Sequence, residues 1–456
     1  MATLIHSPYW PFFVLFLGVV AVVLMITVWR FHSFVALMLA AIFVGLISIN
    51  LPGVEGQPHL IKAIELPMIE FGIMAGKIAW VIALAAIIGV AMMESGAAER
   101  IVNFLLERLG ENRAALALMT SAFILSIPVF FDTVFFLLIP LAIALAIKTG
   151  KHFVLYVVAM SGGGAITHSI VPPTPGPLIM AETLQIDLGV TIIGGILLGI
   201  IPAMVALWLA KFLDRKLNIP VRVGETNPEQ LESRPGLLLS FLPILLPIGL
   251  ISMASIVAIL NGNVPAWLAF LGNKNIAMGI GMAIALWLWA RIRDLSAREL
   301  WDAVSKPLEI AGVIILITSA GGAFGAMIKL SGIGAAIETA TENFHIHYII
   351  LAWVIAAVMK TAQGSSTVAM ITSASIMYGL IGTGTELPYH PIYLLMAIGF
   401  GSLFISWMND SGFWVVSKLS GFTVKEALQT LTVSLALISL VGLTQVLLLS
   451  WVLPMK

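Results

Sequence analysis

The chain contains no cysteine, which excludes disulfides, thiolate metal sites and thiol redox chemistry. Charge is the second scarcity. Only 10% of the 456 residues are Asp, Glu, Lys or Arg, against roughly 25% in a soluble domain. The 23 basic and 23 acidic residues cancel, so there is no basic tail and nucleic-acid binding has no support. His345 and His347 stand near one another without a clustered carboxylate or thiol, so no metal or other cofactor is expected. The N-terminus opens uncharged and lacks a cleavable-signal pattern, so the first apolar run reads as a retained span.

What remains is apolar. Hydrophobic residues make up 60% of the chain and the mean hydropathy is +1.06, values of an integral membrane protein with many crossings. The most informative stretch is Thr167–Pro177, THSIVPPTPGP, lying between two runs apolar enough to be membrane helices. Proline removes a backbone donor and clashes with the preceding turn, so no regular helix is expected through Pro172, Pro173, Pro175 and Pro177. Freed backbone groups at membrane depth are tolerated only where protein or a water-filled cavity satisfies them. A helix broken beside a titratable side chain is how transporters commonly build a substrate site.

The rest of the chain falls into an order that occurs twice. Spans are expected near 10–29, 34–49 and 73–93, followed by an amphipathic surface piece over 94–113. A re-entrant hairpin over 114–147 has its tip at Ser126–Thr133. The broken helix covers 152–184 and a further span 188–212. The polar stretch 211–234 divides the chain nearly in half. Spans near 237–260, 276–290 and 308–328 follow, then a weakly amphipathic piece over 329–347. A second hairpin over 348–380 has its tip at Thr361–Thr367. A second broken helix over 391–418 is interrupted at Asn409–Gly412, and a last span covers 427–453. Asp132 lies 36 residues past Gly96, and Ser366 lies 34 past Gly332. Matching interruptions at matching spacing are the signature of a repeat-built transporter.

The expected fold is therefore all-α and polytopic: two inverted repeats, each with five spans and one re-entrant hairpin. The expected units are a first repeat at 1–210, a cytoplasmic linker at 211–236 and a second repeat at 237–456. With the N-terminus outside, 17 of the 23 basic residues fall on cytoplasmic segments, and the positive-inside rule places both termini outside the cytoplasm.

Two hairpin tips and two helix breaks then meet near the midplane, where free helix N-termini present N–H groups and partial positive charge. The expected ligand is a small, polar, anionic organic or sugar acid. Candidate contacts are Ser126, Asp132 and Thr133 at the first tip, and His168 and Thr174 at the first break. Gln363, Gly364, Ser365, Ser366 and Thr367 come from the second tip, with Asn409 and Asp410 at the second break. Burial favours the neutral forms of carboxylate and imidazole, so Asp132, His168 and Asp410 are the proton-coupling candidates. Each also has a plainer role available: a hairpin cap for Asp132, a ligand for a freed carbonyl for His168, a helix N-cap for Asp410. Lys360 could snorkel, pair with Asp410 or attract an anion. Sodium coupling is the alternative, since hydroxyl-rich tips and unwound carbonyls suit that ion as well. A membrane-embedded acid-dyad enzyme is disfavoured, because the repeat accounts for Asp132 and Asp410 without catalysis.

Across essentially its whole length the sequence resembles the gluconate permease (gluconate:proton symporter) family of the ion-transporter superfamily. The resemblance rests on ITHSIVPPTPGP at Ile166–Pro177, GSSTVA at Gly364–Ala369 and NDSGFW at Asn409–Trp414, with SGAAERI at Ser95–Ile101 in support. It implies proton-coupled uptake of gluconate or a related hydroxy acid across a bacterial inner membrane, or in one branch a small amino acid such as D-serine. It also implies a homodimer and an elevator-like motion. His168, Gly364–Thr367 and Asn409–Asp410 match family motif positions. Thr174 and Asp132 depart from the pattern, where gluconate carriers often have His and Glu.

Overall fold

The computed structural model describes residues 9–49, 51–52, 57–149, 152–217, 219–222, 235–333, 336, 347–381, 387–408 and 410–455. Asn409, the Gln363 side chain, most of the expected 329–347 piece and residues 223–234 of the linker lie outside the described set.

Every element described is helical. The first half comprises α1 (Trp10–Thr27), α2 (Ser33–Ile47), α3 (His59–Glu94), α4 (Ala97–Leu109), α5 (Ala114–Leu125), α6 (Phe131–Thr149), α7 (Phe153–Ile170), α8 (Pro175–Thr183) and α9 (Leu188–Lys216). The second half comprises α10 (Leu237–Asn261), α11 (Ala266–Leu271), α12 (Lys274–Arg293), α13 (Ala297–Leu330), α14 (Tyr348–Gln363), α15 (Ser366–Ile381), α16 (Ile392–Gly401), α17 (Ser411–Ser420), α18 (Val424–Ala427) and α19 (Val433–Val452). A five-residue π-helical turn, Leu428–Thr432, joins the last two. Among the described residues, eight helical segments are long and apolar enough to cross a membrane.

Several boundaries differ from the sequence reading. The third span is a 36-residue helix beginning at His59, with Pro67 inside it. Helix α13 has 34 residues and starts with a complete capping box between Ser296 and Glu299, a strong local start signal. The linker's opening residues, Lys211–Lys216, continue α9. At the first break only Val171–Thr174 leave helical conformation. Pro175 and Pro177 sit in the first turn of α8, where a missing N–H leaves nothing unpaired. The second break is longer than expected and starts earlier, because α16 ends at Gly401 and α17 begins only at Ser411.

Burial sorts the helices by surroundings. The α7–α8 segment is 94% buried over its apolar window, whereas α10 is 28% buried. The former is a central rod. The latter presents Leu245, Met253, Ile256, Ile259 and Leu260 outward, as a lipid-facing helix does. Close approach to α7 depends on missing side chains: a Cβ on Gly163 would stand 2.5 Å from the Met119 carbonyl oxygen of α5. Small residues are the usual device for tight helix contact in membranes. Buried hydroxyls fold back onto their own helices, as in Ser121 to the Ala117 carbonyl (2.8 Å) and Ser161 to Val157 (2.7 Å). In this way Ser121 and Ser161 are paired within their own helices, whereas Ser169, near the end of α7, has no hydrogen-bond partner among the described residues.

The long helices α3 and α13 pack along one another, α13 also against α2 and α15, and α12 against α3. On the other side α7 is held between α5 and α9, and α16 between α14 and α19. The hairpin tips and helix breaks meet between these groups.

Candidate functional site

Four helices begin at the same place. The N-termini of α6 (Phe131, Asp132, Thr133), α8 (Pro175), α15 (Ser366, Thr367) and α17 (Ser411, Gly412) all contribute to the wall of one cavity of about 420 Å³. Each helix N-terminus brings roughly half a positive charge, and N–H groups where neither a proline, as at Pro175 and Pro177, nor a cap, as at Gly412, takes them up. Their convergence makes the cavity receptive to an anion before any side chain is counted. The apolar part of the wall comes from Ile310 and Ile314 of α13, Leu431 of the π turn and Leu435 of α19.

The charged part is an ion pair. Lys360, in the last turn of α14, is 1% exposed, and its Nζ lies 2.6 Å from Asp410 Oδ2. The same ammonium donates to the Gly364 carbonyl at 2.5 Å. A cation suits the C-terminal end of a helix, where carbonyls are unpaired. Gly364 closes that end with φ +89°, a conformation that costs residues with a side chain. Asp410 is the N-cap of α17 and accepts from the Gly412 backbone N–H on Oδ1 at 2.9 Å. Its Oδ2 also accepts from the Ser406 hydroxyl. The cap role and the site role coincide in this residue.

The second tip is tied to the second break. Ser366 donates to the Ser402 carbonyl at 2.9 Å, and the Trp407 indole donates to the Thr361 carbonyl at 2.9 Å. Ser365, Ser366 and Thr367 all line the cavity. Across the cavity stand Asp132, in the first turn of α6, and His168, in the last turn of α7. His168 Nδ1 has no hydrogen-bond partner among the described residues.

Of the residues expected from sequence, Asp132, Thr133, His168, Ser365, Ser366, Thr367 and Asp410 come together on this wall. Three others do not line it. Ser126 caps the end of α5 and is fully buried behind the first tip, close to Gly164. Thr174 turns its hydroxyl to the carbonyls of Val171 (2.8 Å) and His168 (3.2 Å), so it closes the break in place of a helical bond. Gly364 contributes its carbonyl to Lys360. Ser169, Ser406 and the apolar Ile310 and Ile314 belong to the wall as well. Ser406 sits four residues before Asp410 in the non-helical stretch between α16 and α17, and that closeness in sequence was its only signal. Ile310 and Ile314 are apolar residues in an apolar helix and carried none.

Long apolar helices, broken mid-chain and gathered around a cavity lined by charged and hydroxyl-bearing residues, define a membrane transporter. The chain belongs to the GntP permease family, whose sequence pattern matches residues 10–452. It is 31% identical to the gluconate permease of Pseudomonas aeruginosa over 447 residues, covering 95% of this chain and 96% of that one. It is also 31% identical to the D-serine transporter DsdX of Escherichia coli, over 98% of this chain and 100% of that one. The fold is similar to that of MtrF of Neisseria gonorrhoeae, from a class of antimetabolite efflux pumps. That match has a TM-score of 0.65 at 15% identity and covers 95% of this chain and 97% of that one.

Proposed function

We propose that this permease is a secondary active transporter that imports gluconate or a related small hydroxy or sugar acid by proton symport. The observation that carries the reading is the meeting of four helix N-termini and a buried lysine on one cavity. Such a site favours a carboxylate, and the hydroxyls of Ser365, Ser366 and Thr367 suit a polyhydroxylated body. Asp132, His168 and Asp410 supply groups that can exchange the coupled proton at the same place. Two inverted repeats, extracytoplasmic termini, a homodimer in a bacterial inner membrane and an elevator-like movement complete the proposal. With the charge-derived orientation, Ile310 and Leu431 lie in the cytoplasmic halves of their helices. The cavity is then nearer the cytoplasm, as in an inward-facing carrier.

A second reading is favoured by one feature. Lys360 is already neutralised by Asp410, so Asp132 is left as a carboxylate that could receive an ammonium. A small amino acid such as D-serine, the substrate named for the DsdX relative, would use both ends of the site.

The test is uptake of labelled gluconate by purified protein in liposomes, with an inward proton gradient and no sodium. Unlabelled hydroxy acids, sugar acids and D-amino acids compete in parallel. Gradient-driven uptake blocked by sugar acids is the expected result. Selective competition by D-amino acids would move the substrate to the second reading. Uptake that requires sodium and ignores the proton gradient would refute proton coupling.

A further inference from the structure

Lys360 is in an unusual position for a membrane-buried cation: it lines a cavity large enough for a ligand, yet it is already neutralised. Two of its three donor positions are taken, by Asp410 Oδ2 and the Gly364 carbonyl. A buried ion pair of this kind generally stabilises a fold no better than apolar side chains of similar volume. Stability alone therefore does not account for it.

Charge counting suggests what the pair is for. The charged groups of the wall are Asp132, Lys360 and Asp410, with His168 as the remaining titratable group facing them. With both acids ionised and His168 neutral, the empty site carries one net negative charge. A bound monocarboxylate raises that to two in a low-dielectric space. Two carboxylates crowded on one ammonium cannot both remain ionised without a large penalty. Asp132 has no ion pair to lose, because the only ion pair of the described wall residues joins Lys360 to Asp410. The group deprived of its counter-ion is Asp410.

We propose that the Asp410 carboxylate occupies Lys360 as a stand-in for the substrate carboxylate, and that an arriving acid takes its place while Asp410 binds the coupled proton. This rests on the reading of the cavity as a carboxylate site. The proton comes from the extracytoplasmic solution and bonds to Asp410 Oδ2, the oxygen that Lys360 gives up. The Ser406 hydroxyl, a donor to that oxygen in the empty site, then becomes its acceptor. Oδ1 keeps the Gly412 N–H, so α17 stays capped throughout. On release the order reverses: the acid leaves Lys360, and Asp410 loses its proton to the cytoplasm and returns to the ammonium. Empty and loaded sites thus carry the same charge, which lets both cross the membrane.

The experiment counts protons taken up per gluconate bound by purified full-length protein, read with a pH-indicator dye in weak buffer beside a binding isotherm. Wild type is expected to take up about one proton per gluconate. Asp132→Asn alters the cavity wall, so its gluconate affinity is free to change, but each gluconate it binds should still bring about one proton. Asp410→Asn should bind gluconate with no proton uptake and exchange it across liposomes without accumulating it under a proton gradient. Lys360→Gln should weaken gluconate binding by about 10- to 150-fold, the range for a lost hydrogen bond to a charged group. Proton uptake that persists in Asp410→Asn, or vanishes in Asp132→Asn, overturns the exchange, as does wild-type affinity in Lys360→Gln. If Asp410→Asn does not fold, infrared difference spectra of wild type and Asp132→Asn decide. A protonated-carboxyl band must appear on gluconate addition in both, and its absence from either overturns the proposal. If wild type binds neither gluconate nor any acid of the competition panel, the functional reading falls and the exchange with it. If wild type binds and the variants fail as stated, the exchange falls alone.

Discussion

Replacing Lys360 by methionine isolates the ion pair from the rest of the site. The side chains keep similar length, and the change removes an ammonium whose neighbours are Asp410 Oδ2 at 2.6 Å and the Gly364 carbonyl at 2.5 Å. Asp410 is then a carboxylate with a side chain 13% exposed and no counter-ion. Removing one partner of a buried pair typically costs about 3–5 kcal/mol. Asp410 retains the Gly412 N–H and the Ser406 hydroxyl, each worth about 1 kcal/mol, which places the expected loss at about 1–3 kcal/mol. The double variant Lys360→Met with Asp410→Asn removes both charges at nearly constant volume. It should recover to within about 1 kcal/mol of wild type. Asp410→Asn strands the Lys360 ammonium in turn and should cost a similar amount, so the cycle predicts a coupling of about 1–5 kcal/mol between residues 50 positions apart. Equilibrium unfolding in mixed micelles, followed by far-UV circular dichroism, measures all four proteins. A single variant as stable as wild type, or a double variant no better than the single, would refute the view that Lys360 and Asp410 neutralise one another inside the protein.

Other positions separate packing from binding. Gly163→Leu forces a side chain against the Met119 carbonyl, 2.5 Å from where its Cβ would stand. Backbone cannot give way cheaply there, so the variant should fail to yield a monodisperse peak on size exclusion. Thr174→Val is nearly isosteric but leaves the Val171 and His168 carbonyls unpaired. It should cost about 1–2 kcal/mol in the same unfolding assay and weaken substrate binding through displacement of His168. Ser366→Ala removes the tie between the second tip and the Ser402 carbonyl. Its apparent KM for transported acid should rise about five- to tenfold, in keeping with a loss near 1 kcal/mol. Ser126→Ala deletes a hydroxyl that has no hydrogen-bond partner among the described residues and does not line the cavity. Uptake should stay within about twofold of wild type and stability within about 1 kcal/mol, and a larger loss would show that Ser126 reaches the ligand.

Why some of the site could be read from the sequence and some could not comes down to contrast. In an apolar chain every polar residue at membrane depth stands out, so Asp132, His168, the Ser365–Thr367 run and Asp410 were visible from composition alone. Their convergence followed from the helix breaks, since free helix ends have to be satisfied together. Geometry within the breaks was less legible, because a polar residue signals that it needs a partner without saying which. Thr174 and Ser126 look as much like contacts as Ser366 does. One closes its own backbone, one sits behind the tip, and only the fold distinguishes them. The second break shows the opposite failure. Residues Ser402–Met408 contain neither proline nor glycine, so nothing in SLFISWM announces that α16 has ended. The chain turns there with Ile405 at φ +44°, a conformation that β-branched residues avoid. The surrounding contacts hold it: Ser366 binds the Ser402 carbonyl, Thr432 donates to the Ser406 carbonyl, and Trp407 caps Thr361. Strain kept in place by neighbours tends to collect where function needs it. Here it turns the Ser406 hydroxyl toward Asp410 Oδ2, so the least legible stretch of the chain supplies the acceptor on which the proton exchange at Asp410 depends.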